Sequence, residues 1–67
     1  MIFLNGEDSD LQAGETVAAA LARLRLSIDA HGVAVAVDGQ VVPRSTWETF
    51  LLSADARVEV LTAMQGG

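Results

Sequence analysis

Val33-Ala34-Val35-Ala36-Val37-Asp38-Gly39-Gln40-Val41-Val42-Pro43 is the stretch whose reading decides the fold. Large and small apolar residues alternate from Val33 to Val37, the period of a β-strand. Asp38-Gly39 is a strong hairpin pair, because a two-residue turn of the favoured kind needs positive φ at both positions. Val41-Val42 starts the returning strand. Pro43 ends it or marks a sheet edge, since proline cannot donate to the ladder. The alternation predicts a central strand with both faces largely out of water and its valines turned toward a helix.

That helix stands upstream. Thr16 is the expected N-cap, followed by Val17-Ala18-Ala19-Ala20-Leu21-Ala22-Arg23-Leu24-Arg25. Alanine is the best helix former. Val17, Leu21, Leu24 and Ile28 follow the spacing of one buried stripe, with Ala20 beside them for close packing. Arg23 and Arg25 fall near the last turn, where positive charge suits the helix dipole. Asp29-Ala30-His31-Gly32 reads as the loop into the valine strand. Further upstream, Met1 to Asn5 reads as a first strand, Asn5-Gly6 with Glu7-Asp8 as a turn, and Asp10 to Ala13 as a returning strand closed by Gly14. Downstream, Arg44 to Glu48 looks like a short helical turn capped by Ser45, with Trp47 packed under the sheet edge. Phe50, Leu51 and Leu52 are expected to enter the core. Ala54-Asp55-Ala56 turns into a last strand from Arg57 to Met64. One main helix across one face of a mixed sheet of four to five strands is an α+β, ubiquitin-like β-grasp arrangement.

Composition sets limits. The chain has 67 residues and is 51% hydrophobic, enough for one domain that must rely on its core. With no cysteine it has neither disulfides nor thiolate metal sites. Nine acids against four arginines give a net charge of -5, which disfavours nucleic acid as a partner. No apolar run approaches the length of a membrane span, and Met1 to Leu4 is too short for a signal peptide. The expectation is a cytoplasmic chain that binds neither nucleic acid nor membrane. The lone His31 cannot make a metal site, and Glu7, Asp8 and Asp10 are too few ligands for a calcium loop.

The chain closes on Gln65-Gly66-Gly67. Two glycines place a carboxylate on a slender tail with wide backbone freedom. From Gln65 to Gly67 that tail extends roughly 10 Å. The expected division is a folded domain over 1-64 and a flexible tail over 65-67.

Three segments resemble the ThiS family, the sulfur carriers of thiamin thiazole biosynthesis. The strongest is Val35 to Trp47, with its strand, turn, Val41-Val42-Pro43-Arg44 and a tryptophan three residues later. Gly14-Glu15-Thr16-Val17 is similar to the family's helix start, and Val58 to Gly67 to its last strand and tail. Departures are Asp38 for a common asparagine, Asp55-Ala56-Arg57 for a common Gly-Asp pair, and Arg25 for a helix-ending glycine, which would let the helix run on by a turn. The resemblance implies first and last strands lying side by side and parallel at the sheet centre. It implies that an adenylating, E1-like enzyme uses ATP and magnesium to activate the Gly67 carboxylate, the chain itself binding no cofactor and not being an enzyme. A persulfide-bearing protein would then supply sulfur, and thiazole synthase would consume the Gly67 thiocarboxylate. Gly66 and Gln65 would present the reacting end.

Strand alternation adds a docking surface. With Ile2, Leu4, Val58 and Val60 toward the helix, Phe3, Ala36, Leu61 and Ala63 would form an apolar patch on the open face, where an activating partner could grip. Arg44 reads as structural, or as a contact for a partner. Other readings stay open at this point: the small subunit of molybdopterin synthase, a ubiquitin-like modifier, or a plain interaction domain.

Overall fold

The computed structural model describes residues 1–63. The chain order is β1 (Phe3–Leu4), β2 (Glu7–Asp8), α1 (Val17–Arg23), β3 (Val33–Val37), β4 (Gln40–Val41), a single 3-10 turn (Arg44–Thr46) and β5 (Arg57–Thr62). The strands form one five-stranded sheet in the order β2-β1-β5-β3-β4. β5 is central, parallel to β1 and antiparallel to β3. The expected parallel pairing of first and last strands is present, and the β-grasp arrangement with it.

The core forms where α1 covers one face of the sheet. Val17, Ala20 and Leu21 of the helix meet Val35, Val58 and Leu4, all buried. Each large apolar side chain buried in this way contributes roughly 1.5–3 kcal/mol. Trp47 is the largest of the fully buried residues, and its indole Nε1 donates to the Val42 carbonyl at 2.9 Å. Among the described residues no buried side-chain polar atom lacks a partner.

The structure corrects several expectations. The returning strand is Glu7–Asp8 rather than Asp10 to Ala13, because Asn5 and Gly6 both take positive φ and close a tight two-residue turn at once. Leu11 is buried from a loop instead. β3 is covered on one face only, its valines inward while Ala34 is exposed and Ala36 half-buried. The helix does not run on. Thr16 caps its start by accepting from the Ala19 amide, and it ends at Arg23. Arg25 adopts φ 60°, its amide donates to Ala22 O and the Leu26 amide to Leu21 O. That is the double bond pattern of a left-handed C-cap, with arginine at the usual glycine position. Ile28 of the expected stripe therefore lies past the helix, half-buried. Ser45 caps nothing, since the 3-10 turn follows Pro43 without a side-chain cap. Leu52 alone of its trio is buried, with Phe50 36% and Leu51 63% exposed. β5 ends at Thr62. Met64 and the expected tail over 65–67 lie outside the described residues.

Candidate functional site

The face of the sheet opposite α1 is open. Strand register decides which side chains share it. Phe3 pairs with Arg57, and Arg57, Glu59 and Leu61 alternate outward along β5. Ala34 pairs with Leu61 and Ala36 with Glu59. On the other flank, Val41 pairs with Ala36. Leu61 and Val41 are 70% and 78% exposed, a heavy exposure for branched apolar side chains on a small acidic domain.

Of the four residues expected to form the patch, Phe3, Ala36 and Leu61 share this face, but they are not contiguous. Arg57 and Glu59 stand between Phe3 and Leu61. The Arg57 guanidinium lies 5.8 Å from the centre of the Phe3 ring, within cation–π range. Two shallow depressions result, with Glu59 at the border of both. One is lined by Phe3, Gly6, Arg57 and Glu59. The other is apolar and lined by Ala34, Ala36, Val41 and Leu61. Ala63 stands exposed just beyond the end of β5, where its amide donates to the Gly32 carbonyl at 2.6 Å.

Val41 and Ala34 belong to the apolar half and were missed from sequence. The signal was present for Val41. A two-residue Asp38-Gly39 turn pairs Val37 with Gln40 and hence Ala36 with Val41, so Val41 shares the face of Ala36. Gly67, Gly66 and Gln65, the residues expected to carry the chemistry, lie outside the described residues. What the structure supplies is their point of departure. Ala63 follows the central strand, and the four residues beyond it span at most about 14 Å.

Arg44 is engaged within the chain. Its guanidinium donates to the carbonyls of Ile28 and Ala30 and lies over the Trp47 ring, 4.5 Å from the centroid. His31 is exposed in the loop beside it. Among the described residues no group of three or more His, Cys, Asp or Glu is placed to hold a metal ion, and no helix is long and apolar enough to cross a membrane.

Comparison with known proteins agrees with this architecture. The ThiS family model matches residues 2–67. No curated protein sequence matches significantly. The crystal structure of thiamine biosynthesis protein ThiS from Geobacter metallireducens superposes with a TM-score of 0.73 at 26% identity, over 98% of this chain and 97% of that one. An NMR solution structure of a thiamine biosynthesis protein from Geobacter metallireducens gives a TM-score of 0.73 at 28% identity, over 98% and 86%. With family pattern and fold agreeing along nearly the whole length, the chain belongs to the ThiS family.

Proposed function

We propose that this chain is a protein co-substrate that carries sulfur as a thiocarboxylate on Gly67 and gives it up for thiazole formation. Family membership supports a sulfur-carrier role in thiamin biosynthesis. The observation that carries the finer reading is the Gly66-Gly67 terminus on a chain matched by the family over residues 2–67.

A carboxylate is a poor electrophile, and activation solves this. The Gly67 carboxylate attacks the α-phosphorus of magnesium-bound ATP on an adenylating, E1-like enzyme, and pyrophosphate leaves. The terminal sulfur of a protein persulfide attacks the acyl carbon and expels AMP. A thiol cleaves the resulting acyl disulfide, leaving the Gly67 thiocarboxylate and a new disulfide. Thiazole synthase takes the sulfur, and water restores the carboxylate. Gly66 keeps the tail slender enough for a narrow channel, and Gln65 joins it to the body. The open face, with Phe3, Ala36, Leu61 and Ala63 now joined by Ala34 and Val41, is the docking surface for the activating enzyme.

Mass spectrometry of chain from sulfur-replete cells tests this reading. Replacement of one oxygen by sulfur is expected, together with alkylation by iodoacetamide in a chain that has no cysteine. Methionine oxidation gives the same nominal mass but no alkylation. Ladders of high-mass conjugates would instead mean a modifier. Gly66→Val should block ATP–pyrophosphate exchange while the fold stands. Deleting Gly67 leaves the reacting carbon about 3.5 Å short, far outside the tolerance of a displacement. Leu61→Glu should weaken binding to the activating enzyme about tenfold or more if this face is central to the interface. Unchanged affinity would remove it from the docking surface.

A further inference from the structure

We propose that Arg44, acting through the loop that precedes β3, is a positioning residue for the chain's reacting terminus. The inference rests on the thiocarboxylate-carrier reading above. It begins in the core. Trp47 is buried and held by its bond to Val42 O at 2.9 Å. The Arg44 guanidinium stacks over that ring at 4.5 Å, so the arginine projects from a fixed base. Its two terminal nitrogens each donate to a loop carbonyl, one to Ile28 and one to Ala30. This fork-shaped grip suits a planar guanidinium, whose donors are held in a fixed geometry. Inside the loop, Ala30 N donates to Ser27 O and Asp29 N to Ser27 Oγ, both at 3.0 Å. The gripped segment is therefore a closed turn.

Just past Ala30 comes Gly32, and here the loop meets the end of the central strand. Gly32 has φ +71°, and its carbonyl accepts from the Ala63 amide at 2.6 Å. A Cβ built on Gly32 would stand 3.2 Å from the Ala63 Cβ and 3.4 Å from its carbonyl oxygen. Both the backbone angle and the crowding call for glycine. The β3–β5 ladder runs out at the Val33–Thr62 pair, so the Gly32–Ala63 bond is a tie beyond the last rung. Only three residues lie between Ala63 and Gly67. On a docked chain the position of Ala63 therefore bounds where the carboxylate can reach, and misplacement by about 1 Å can cost on the order of a hundredfold in rate. Arg44 holds the loop, the loop holds Gly32, and Gly32 sets where the terminus leaves the body. The two inward-facing bonds also set this role apart from a partner contact, since they commit both ends of the guanidinium within the chain.

The test uses the full chain with Arg44→Ala, Arg44→Lys and Gly32→Ala, each first checked for a native circular dichroism spectrum. Amide hydrogen exchange reads the tie directly. In Arg44→Ala the Ala63 amide should exchange about tenfold faster while the amides of central β5 keep their protection. ATP–pyrophosphate exchange on a thiazole-pathway adenylating enzyme reads the consequence, with kcat lowered about tenfold and KM for the chain held within about twofold, because docking is intact and geometry is not. Arg44→Lys should recover only part of either loss. Gly32→Ala should reproduce the pattern with Arg44 in place. A folded Arg44→Ala with unchanged Ala63 exchange or unchanged kcat overturns the inference. So does a raised KM with normal kcat, which would make Arg44 a docking contact. If the unsubstituted chain supports no pyrophosphate exchange, the carrier reading falls and takes the inference with it.

Discussion

Both hairpins turn on an Asx–Gly pair in the left-handed region, Asn5-Gly6 with φ 53° and 83° and Asp38-Gly39 with 51° and 84°. Both also reach back to β5 with the Asx side chain. Asn5 Oδ1 accepts from Val60 N at 2.8 Å, in a part-buried position. Asp38 Oδ1 accepts from Arg57 N at 3.0 Å, in the open. The difference follows from the ladders they serve. β3 and β5 share five register pairs, and Asp38 adds a bond at their rim. β1 and β5 share only two, and Asn5 extends that short parallel seam, its amide donating to Val58 O and its side chain accepting from the next outstretched amide. Where the backbone ladder is short, a side chain continues it.

The largest effect expected from this contrast is at Asn5. Asn5→Ala forces an ordinary residue into the left-handed region, at roughly 1–2 kcal/mol, and leaves the Val60 amide without its acceptor, at about 1–3 kcal/mol. Asp38→Ala carries the same backbone cost, but water can reach the Arg57 amide, so its total should be smaller by about 1 kcal/mol. Urea denaturation of the two variants measures the gap. Equal losses would mean that Asn5 acts through its turn alone and not through the seam.

The same pair shows what could be read from sequence. Asp38-Gly39 was legible because turn chemistry and flanking alternation agreed. Asn5-Gly6 carries the same turn signal, yet its returning strand was misplaced. Glu7 and Asp8 are both exposed and charged, so that strand has no alternation to read. The parallel seam itself came from family resemblance, because no local pattern reports a partner more than fifty residues away. On the open face, alternation placed Phe3 and Leu61, but the interposed Arg57 and Glu59 follow from register alone. Arg44 was harder still. Its acceptors are main-chain carbonyls of Ile28 and Ala30, and a carbonyl has no signature in sequence.

A left-handed residue without such a task sharpens the comparison. Arg25 holds φ 60° at the C-cap of α1, where the bonds that define the cap are made by backbone groups. Its side chain is not what the position needs. Arg25→Gly should therefore stabilise the fold by about 1 kcal/mol, relieving the Cβ conflict. Asn5→Gly should destabilise it, since relief of the backbone does not restore the bond to Val60. If both glycine variants move in the same direction in denaturation, backbone strain outweighs the side-chain contact at Asn5 as well.

The smallest expected effect lies at the other end of the same parallel seam. Asp55, with φ 64°, is the remaining non-glycine residue with positive φ among those described. Its carboxylate accepts from the Met1 ammonium at 2.9 Å, which ties the chain before β1 to the turn before β5. That hydrogen bond first, and the attraction of the ammonium charge second, hold the Asp55 carboxyl below the ordinary aspartate range. A folded-state value lowered in this way adds stability above the unfolded value, and the gain fades as pH falls through the folded one. Both groups are exposed, so the gain is small and salt weakens it further. Wild type should exceed Asp55→Asn in stability at neutral pH, with the gap closing as pH falls below the ordinary aspartate value and through the lowered folded one. The gap should also narrow in high salt at fixed neutral pH. A gap independent of both pH and salt would show that Asp55 matters for its left-handed backbone and not for its charge, leaving the parallel seam to the side chain of Asn5.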